Sequence, residues 1–254
     1  MTLNANGIRS AANKGFFEWM LTQSPDVLCL QETKAQEHQL SFEVQKLQGY
    51  YSYFHDATKK GYSGVAIYCK REPERVQMGL GWSDVDAEGR FLQVDFPSLS
   101  VISLYLPSGS SSPERQAVKF HFMDRFLPVL KRLYSERRNY IICGDWNIAH
   151  KAIDLKNWRG NQRNSGFLPE ERAWMDEVLN KLGWVDAFRV VNQQPDQYTW
   201  WSNRGRSWEK NVGWRIDYHI ISSTLKEAVL SAAIYKDQRF SDHAPLTLIY
   251  DHEL

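Results

Sequence analysis

The sequence predicts a layered α/β (α+β) sandwich, and three observations carry that prediction. Short apolar, β-branched runs recur along the chain, longer stretches of helical character stand between them, and the two kinds mix without the strict alternation a barrel requires. In chain order the strand candidates are 27–30, 64–69, 91–96, 101–106, 140–143, 215–221 and 245–250, each four to seven residues long. The helical candidates are 14–22, 37–47, 113–136 and 169–182. The last two open with proline and acidic residues, as helix starts tend to. A dinucleotide-binding arrangement fails: the run G-L-G-W-S-D at 79–84 lacks its third glycine, and no helical pattern follows it.

Composition sets the outer bounds. With 254 residues, 43% hydrophobic and 24% charged, the chain is neither disordered nor fibrous. A chain of this size buries roughly three quarters of its unfolded surface and needs no disulfide staple. No linker-like segment and no repeat appears, so residues 1–254 are expected to form one domain. Thirty-one basic against 30 acidic residues leave a net charge of +1, so binding to phosphates has to come from local segregation of charge. Cys29, Cys69 and Cys143 sit in apolar runs and read as buried thiols of a reducing compartment. No run is long enough to cross a bilayer, and the first 15 residues lack the apolar stretch of a signal peptide. The expectation is a soluble cytoplasmic protein that makes no use of a membrane.

Chemistry-bearing residues collect just beyond the apolar runs, where a sheet delivers side chains to a common rim. Glu32 follows four apolar residues; it is either the point where a buried strand meets water or a hard oxygen ligand for Mg²⁺. In Gly144-Asp145-Trp146-Asn147, alternation puts Asp145 and Asn147 on one side; the plainer alternative is an Asx turn closing the strand. Ser241-Asp242-His243 is not a serine triad, because neighbouring side chains point opposite ways and no G-x-S-x-G elbow exists. His243 needs a partner from another strand. Asp217 is a candidate, since a carboxylate on one imidazole nitrogen fixes the tautomer. Taken together, carboxylates, amides, a histidine and a tyrosine at strand edges match what a metal-assisted phosphodiester hydrolase requires. There is no C-x-x-C pair and no H-E-x-x-H, so oxygen ligands for Mg²⁺, with Mn²⁺ as a substitute, suit the donor set better than a transition-metal cage.

Local charge agrees. The stretch 151–172 holds Lys151, Lys156, Arg159, Arg163 and Arg172, and the stretch 204–215 holds Arg204, Arg206, Lys210 and Arg215 against Glu209 alone. Basic loops beside an acidic metal site can hold phosphates that the carboxylates alone would repel. Tyr198-Thr199-Trp200-Trp201 and Trp214 add flat rings, which read either as core or as a pocket for an extruded sugar that lacks its base.

The order and wording of these motifs resemble the exonuclease III family of abasic-site DNA endonucleases, within the DNase I-like endonuclease, exonuclease and phosphatase superfamily. The matching runs are N-A-N-G-I-R from Asn4, L-Q-E-T-K from Leu30, G-Y-S-G-V-A from Gly61, Y-L-P-S-G from Tyr105 and G-D-W-N-I-A-H from Gly144. They continue with I-D-L-K-N-W-R-G-N from Ile153, N-S-G-F-L-P-E-E-R from Asn164, V-G-W-R-I-D-Y from Val212 and S-D-H-A-P from Ser241. G-D-x-N and S-D-H are shared across the superfamily, whereas V-G-W-R-I-D-Y and N-S-G-F-L-P-E-E-R are particular to the abasic-site enzymes. The resemblance implies a four-layer α/β sandwich, two packed mixed sheets with helices outside and the active site at one end.

It also implies roles. Glu32 would be the main Mg²⁺ ligand with Asn6 beside it, at a position where family members carry aspartate or asparagine; asparagine leaves one less negative charge. Asp145 would activate or position the water, and Asn147 would hold it or a phosphoryl oxygen. Tyr105, Asp217 and His243 would contact the scissile phosphate, and Asp242 would support the histidine edge or a second metal position. Asn157, Asn161, Asn164 and Arg204 would contact DNA, where the charge of the stretch 204–215 adds Lys210 and Arg215, and Trp200, Trp214 and Ile216 would line the abasic pocket. The implied reaction is hydrolysis of the phosphodiester 5′ to an abasic nucleotide in double-stranded DNA, with 3′-5′ exonuclease and 3′-phosphodiesterase activity on damaged 3′ ends, by a monomer. Two alternatives stand beside it: a 3′ exonuclease or phosphatase of limited abasic activity, and a catalytically silent DNA-binding module. The silent module would be expected to have lost one of Glu32, Asp145, Asp217 or His243, and all are present.

Overall fold

The computed structural model describes residues 1–254. Two six-stranded mixed sheets pack face to face. The first runs in the order Val229–Ile234, Leu246–Tyr250, Thr2–Asn4, Val27–Gln31, Val65–Cys69, Tyr51–His55. The second runs Arg75–Met78, Phe91–Asp95, Leu99–Tyr105, Asn139–Asp145, Asp217–Ile221, Val185–Asp186. A small ribbon, Trp200–Trp201 with Gly213–Trp214, stands apart from both.

Alternation along each central strand explains the layers. In Asn139–Asp145, Ile141 and Cys143 face the other sheet and join Cys29, Val65, Ile67, Val94 and Val101 in the inner core. Tyr140 and Ile142 point the opposite way, into a core with Phe122, Phe126 and Leu130 of the helix Pro113–Ser135 and Trp174 and Met175 of the helix Pro169–Asp176. In Val27–Gln31, Cys29 faces inward while Leu28 and Leu30 meet Phe16, Phe17 and Met20 of the helix Phe16–Gln23. Both faces of these strands are covered, so they read as continuous apolar runs. The result is the expected four-layer DNase I-like sandwich.

The structure departs from the expected elements at three edge strands, at the short interior strand Thr2–Asn4 and in two helices. Tyr51–His55, Arg75–Met78 and Val229–Ile234 are edge strands with half-exposed faces, and their apolar pattern is too weak to announce them. The helix expected over 37–47 is instead a 3₁₀ turn, Glu37–Gln39, and a single turn, Phe42–Gln45, because Leu40 and Ser41 between them adopt extended backbone. The helix expected over 169–182 ends its regular turns at Asp176 and continues as a wider π turn, Glu177–Lys181. No helix is long and apolar enough to cross a membrane, and all three cysteines are buried free thiols.

Register places the site. Asp145 pairs with Tyr105 across the parallel Leu99–Tyr105/Asn139–Asp145 ladder and with Asp217 across the antiparallel neighbour, so all three stand in one row at one end of the second sheet. Gly144 permits this approach: it sits at φ 147°, and a Cβ there would lie 1.9 Å from the Leu104 carbonyl oxygen.

Candidate active site

The strands that deliver the polar side chains end in short turns closed by those same side chains. Asn4 Oδ1 accepts from the Asn6 N–H at 2.9 Å, and Asp145 Oδ1 accepts from the Asn147 N–H at 2.8 Å. Each is an Asx turn that also leaves its side chain at the rim, so the two readings of Asp145 and Asn147 hold at once. Asn6, Glu32 and Asn147 all adopt left-handed backbone, at φ 43°, 50° and 52°. Asparagine tolerates that region, whereas a glutamate there carries strain of the kind stored at functional sites.

Asp145 is the centre. It is almost wholly buried, and its Oδ2 accepts from Asn4 Nδ2 at 2.9 Å and Asn147 Nδ2 at 3.3 Å. His243 Nε2 lies 3.8 Å from the same oxygen, and His243 Nδ1 faces Asp217 Oδ2 at 2.8 Å. Burial, reinforced by the Asp217 charge, pushes the Asp145 carboxyl up to about 7 against the pull of His243 and Asn4. For His243 burial works downward, but Asp217, Asp145 and Asp242 outweigh it and carry the imidazolium to about 10. One carboxylate poised near neutrality therefore stands beside one imidazole that stays charged.

Tyr105 completes the row. Its hydroxyl faces Glu32, and burial with the nearby Glu32 and Asp145 carboxylates holds the phenol protonated, well above its ordinary range. Asp242 accepts from Asn6 Nδ2 at 2.9 Å, from Ser241 Oγ at 3.1 Å and from Trp200 Nε1 at 3.1 Å. Burial would raise its carboxyl, yet His243 and these donors hold it below the usual value.

Oxygen donors dominate the set. Asp145, Asp217 and His243 bring one ligand atom each to within 4.8 Å of one another, and this carboxylate–histidine group could hold a metal ion. The Glu32 carboxylate opens to the cleft, the Asn6 carboxamide stands beside it, and Lys34 Nζ reaches Asn6 Oδ1 at 2.5 Å and Glu32 Oε1 at 3.4 Å. Such a set fits a hard divalent cation, with Lys34 holding part of the charge when none is bound.

Glu32, Tyr105, Asp145, Asn147, Asp242 and His243 open onto one cleft of about 930 Å³. Asp217 lies behind His243, and Asn6 stands behind Asp242 and Lys34. Asn157, Asn161 and Asn164 line the cleft with Lys156 and Arg163, and the serines of 108–112 line it beside Ser165. Trp200, Trp214 and Ile216 form the floor beside His243, packed with Leu155 and Phe167; the Trp200 and Trp214 rings meet edge to face at 6.4 Å. Arg204 and Lys210 are exposed on the turn 202–212, whose cleft-facing residues are Ser202, Ser207 and Val212.

Arg215, expected at the DNA surface, is 1% exposed, with Nε 2.8 Å from Asp154 Oδ1 and Nη2 2.6 Å from Asp186 Oδ2, so it is a buried structural cation that does not line the cleft. Alternation gives the reason: Trp214 and Ile216 face the cleft, and the residue between them must face away.

Two further groups carry no role in the sequence reading. Arg90 lies 4.6 Å from the Tyr105 ring and donates to the Tyr105 carbonyl at 3.1 Å, fixing that side chain from below. Arg9, Lys14 and Lys34 line a hollow of about 680 Å³ with no apolar lining. The sequence carries a signal for both, as an arginine opening the apolar run at 91 and as Arg9 and Lys34 inside the motifs that begin at Asn4 and Leu30, with Lys14 just beyond the first.

Comparison with known proteins agrees with this geometry. The chain is 38% identical over 250 residues to the exodeoxyribonuclease of Bacillus subtilis (strain 168), covering 97% of this chain and 96% of that one. It is also 38% identical to the DNA repair nuclease APEX1 of Danio rerio, covering 96% and 79%. An AP endonuclease structure from Archaeoglobus fulgidus superposes with a TM-score of 0.89 at 29% identity, over 99% of this chain and 98% of that one. Residues 1–243 match the Endonuclease/Exonuclease/phosphatase family, and with these relatives and this cleft the chain belongs to that family as a nuclease, a phosphodiester hydrolase.

Proposed function

We propose that residues 1–254 act as one domain, a Mg²⁺-dependent abasic-site endonuclease that cleaves the phosphodiester 5′ to an abasic nucleotide in duplex DNA. The supporting observation is one cleft in which the Asp145, Asp217 and His243 cluster stands directly beside the recess of Trp200, Trp214 and Ile216. A sugar without its base presents a small apolar face that the recess admits, while a normal nucleotide is excluded by size.

Asp145 takes the proton of the attacking water, a task suited to a carboxyl near neutrality, and Asn147, whose Nδ2 is held by the Leu106 carbonyl and Asp145, offers its Oδ1 as the acceptor that orients the water. The His243 imidazolium, oriented by Asp217, and the Tyr105 hydroxyl donate to the phosphoryl oxygens as charge builds on them. The bond to the 3′-oxygen breaks and that oxygen takes a proton from solvent, leaving a 3′-hydroxyl and a 5′-deoxyribose phosphate. A divalent cation held by Glu32 with Asn6, and Asp242 nearby, would supply Lewis-acid stabilisation of that leaving oxygen. Asn157, Asn161 and Asn164, with Arg163 and Lys156, hold the backbone on one wall; Arg204 and Lys210 meet it from the turn 202–212; Arg9, Lys14 and Lys34 continue the track. The relative named as an exodeoxyribonuclease favours a second activity, 3′-5′ removal of nucleotides or blocking groups at the same centre. The enzyme acts as a monomer in the cytoplasm, at the nucleoid if the host is bacterial.

A duplex carrying one abasic analogue, assayed with Mg²⁺ and with chelator beside a blunt duplex, tests this reading. Incision at the analogue that requires the metal is expected. Digestion confined to 3′ ends would replace the reading with the exonuclease, and binding without cleavage would replace it with the silent module.

A further inference from the structure

A lysine and a glutamate are paired inside the layer that covers the second sheet. Lys119, on the helix Pro113–Ser135, and Glu171, on the helix Pro169–Asp176, are each 0% exposed, with Nζ 2.5 Å from Oε1. Burying such a pair costs desolvation that an apolar pair would avoid, so stability alone gives it little reason to exist.

Glu171 Oε1 also accepts from Gln116 Nε2 at 3.1 Å and Ser165 Oγ at 3.5 Å, and the other contacts of the pair point in two directions. Lys119 Nζ donates to the Asn147 carbonyl at 2.7 Å, gripping the left-handed residue whose N–H and amide hold Asp145. Glu171 Oε2 accepts from the N–H groups of Gly166, at 2.7 Å, and Leu168, at 3.0 Å. Those residues end the segment that carries Asn157, Asn161 and Asn164 along the cleft wall and places Phe167 against Trp214. Gly166 also accepts from the Ala149 N–H at 2.8 Å, so the segment and the catalytic turn are stitched together at this point.

We propose that Lys119 and Glu171 form a positioning joint, which locks the Asp145–Asn147 turn to the DNA-facing segment so that substrate seated on the wall meets a correctly aimed Asn147. The proposal rests on the abasic-site reading of the cleft. Neither residue touches substrate. Both act through Asn147, where a displacement of about 1 Å is enough to cost up to about 100-fold in rate.

The test compares the wild-type chain with Lys119→Met, Glu171→Gln and the double variant, all with Mg²⁺ on a duplex holding one abasic analogue. Glu171→Gln keeps an oxygen for the two loop N–H groups while removing the charge that Lys119 needs. The joint predicts that kcat falls about tenfold or more in all three variants while KM stays within about threefold. It further predicts that the double variant, having no unpaired buried charge, recovers thermal stability without recovering kcat. A folded Lys119→Met with wild-type kcat would overturn the proposal, and so would a double variant whose kcat returns together with its stability. If Lys119→Met does not fold, the double variant decides. A wild-type chain inert on this duplex would sink the substrate reading instead, and the same comparison of kcat on a 3′-recessed duplex would then decide the joint.

Discussion

Asp217 and His243 face each other Oδ2 to Nδ1 at 2.8 Å, both nearly closed to solvent, and this contact sets which form of the imidazole the cleft presents. The carboxylate fixes a proton on Nδ1 and favours a second on Nε2, so the face turned toward Asp145 is a donor at neutral pH.

The first prediction is a pH profile with two limbs. Asp145 becomes a base only as pH rises through about 7, so kcat/KM should climb across that region. His243 loses its second proton only as pH rises through about 10, so activity should fall there. Asp217→Asn removes the principal attraction holding that proton. It should cut kcat about 10²- to 10⁴-fold and shift the alkaline limb to lower pH. An unmoved alkaline limb would detach His243 from Asp217 in function.

How much of this was legible in the sequence follows from where each residue sits. Glu32, Asp145, Asp217 and His243 each stand at the boundary of an apolar run, and a boundary is visible in one dimension. Their gathering at one rim and the Asp217–His243 partnership are legible there too, but the row Tyr105, Asp145, Asp217 is not, because it depends on register between strands far apart in the chain. Edge strands such as Arg75–Met78 escaped because a half-wet surface lacks a strong pattern. Arg215 departs from expectation for a related reason: charge along a stretch does not say which way each side chain faces, and the chain turns this one cation away from the cleft into a nest of Asp154 and Asp186.

A second prediction concerns Asn6. Its amide donates to Asp242, and its oxygen accepts from Lys34. Asn6→Asp would set a carboxylate against Asp242 in the empty site, so the metal-free protein should lose about 1 kcal/mol, or about 2–4 °C in Tm. Added Mg²⁺ should restore more than it does for the wild type, and half-maximal activity should need less metal, since one further anionic oxygen faces the cation. Calorimetry across a Mg²⁺ titration would read both effects; equal Mg²⁺ stabilisation of the two proteins would place the cation away from Asn6.

A third prediction separates pocket from centre. Trp214 touches Trp200 and Phe167 edge to face but makes no hydrogen bond to Asp145, Asp217 or His243. Trp214→Ala should therefore lower incision at an abasic analogue by about 10- to 100-fold, the value of one aromatic platform, with digestion from 3′ ends reduced far less. Equal losses on both substrates would mean that the ring supports the whole cleft instead of selecting the extruded sugar.

The last prediction sets Arg215 against Arg163. Both are cations in the basic stretches that adjoin the site, but Arg163 is exposed on the cleft wall and Arg215 is enclosed by two carboxylates. Replacing Arg163 with alanine should weaken binding evenly across DNA sequences and reduce the slope of log affinity against log salt by about 1, the signature of one lost phosphate contact. Arg215→Met should leave that slope unchanged. Its cost should appear in unfolding, at about 3–5 kcal/mol, because Asp154 and Asp186 would be left buried without their partner. Arg189, 2.7 Å from Asp154, can answer part of the Asp154 charge but makes no ion pair with Asp186, so the loss should stay near that range. A salt titration of DNA binding and a denaturant titration on the same two variants would distinguish them, and a reduced salt slope for Arg215→Met would return that residue to the DNA surface.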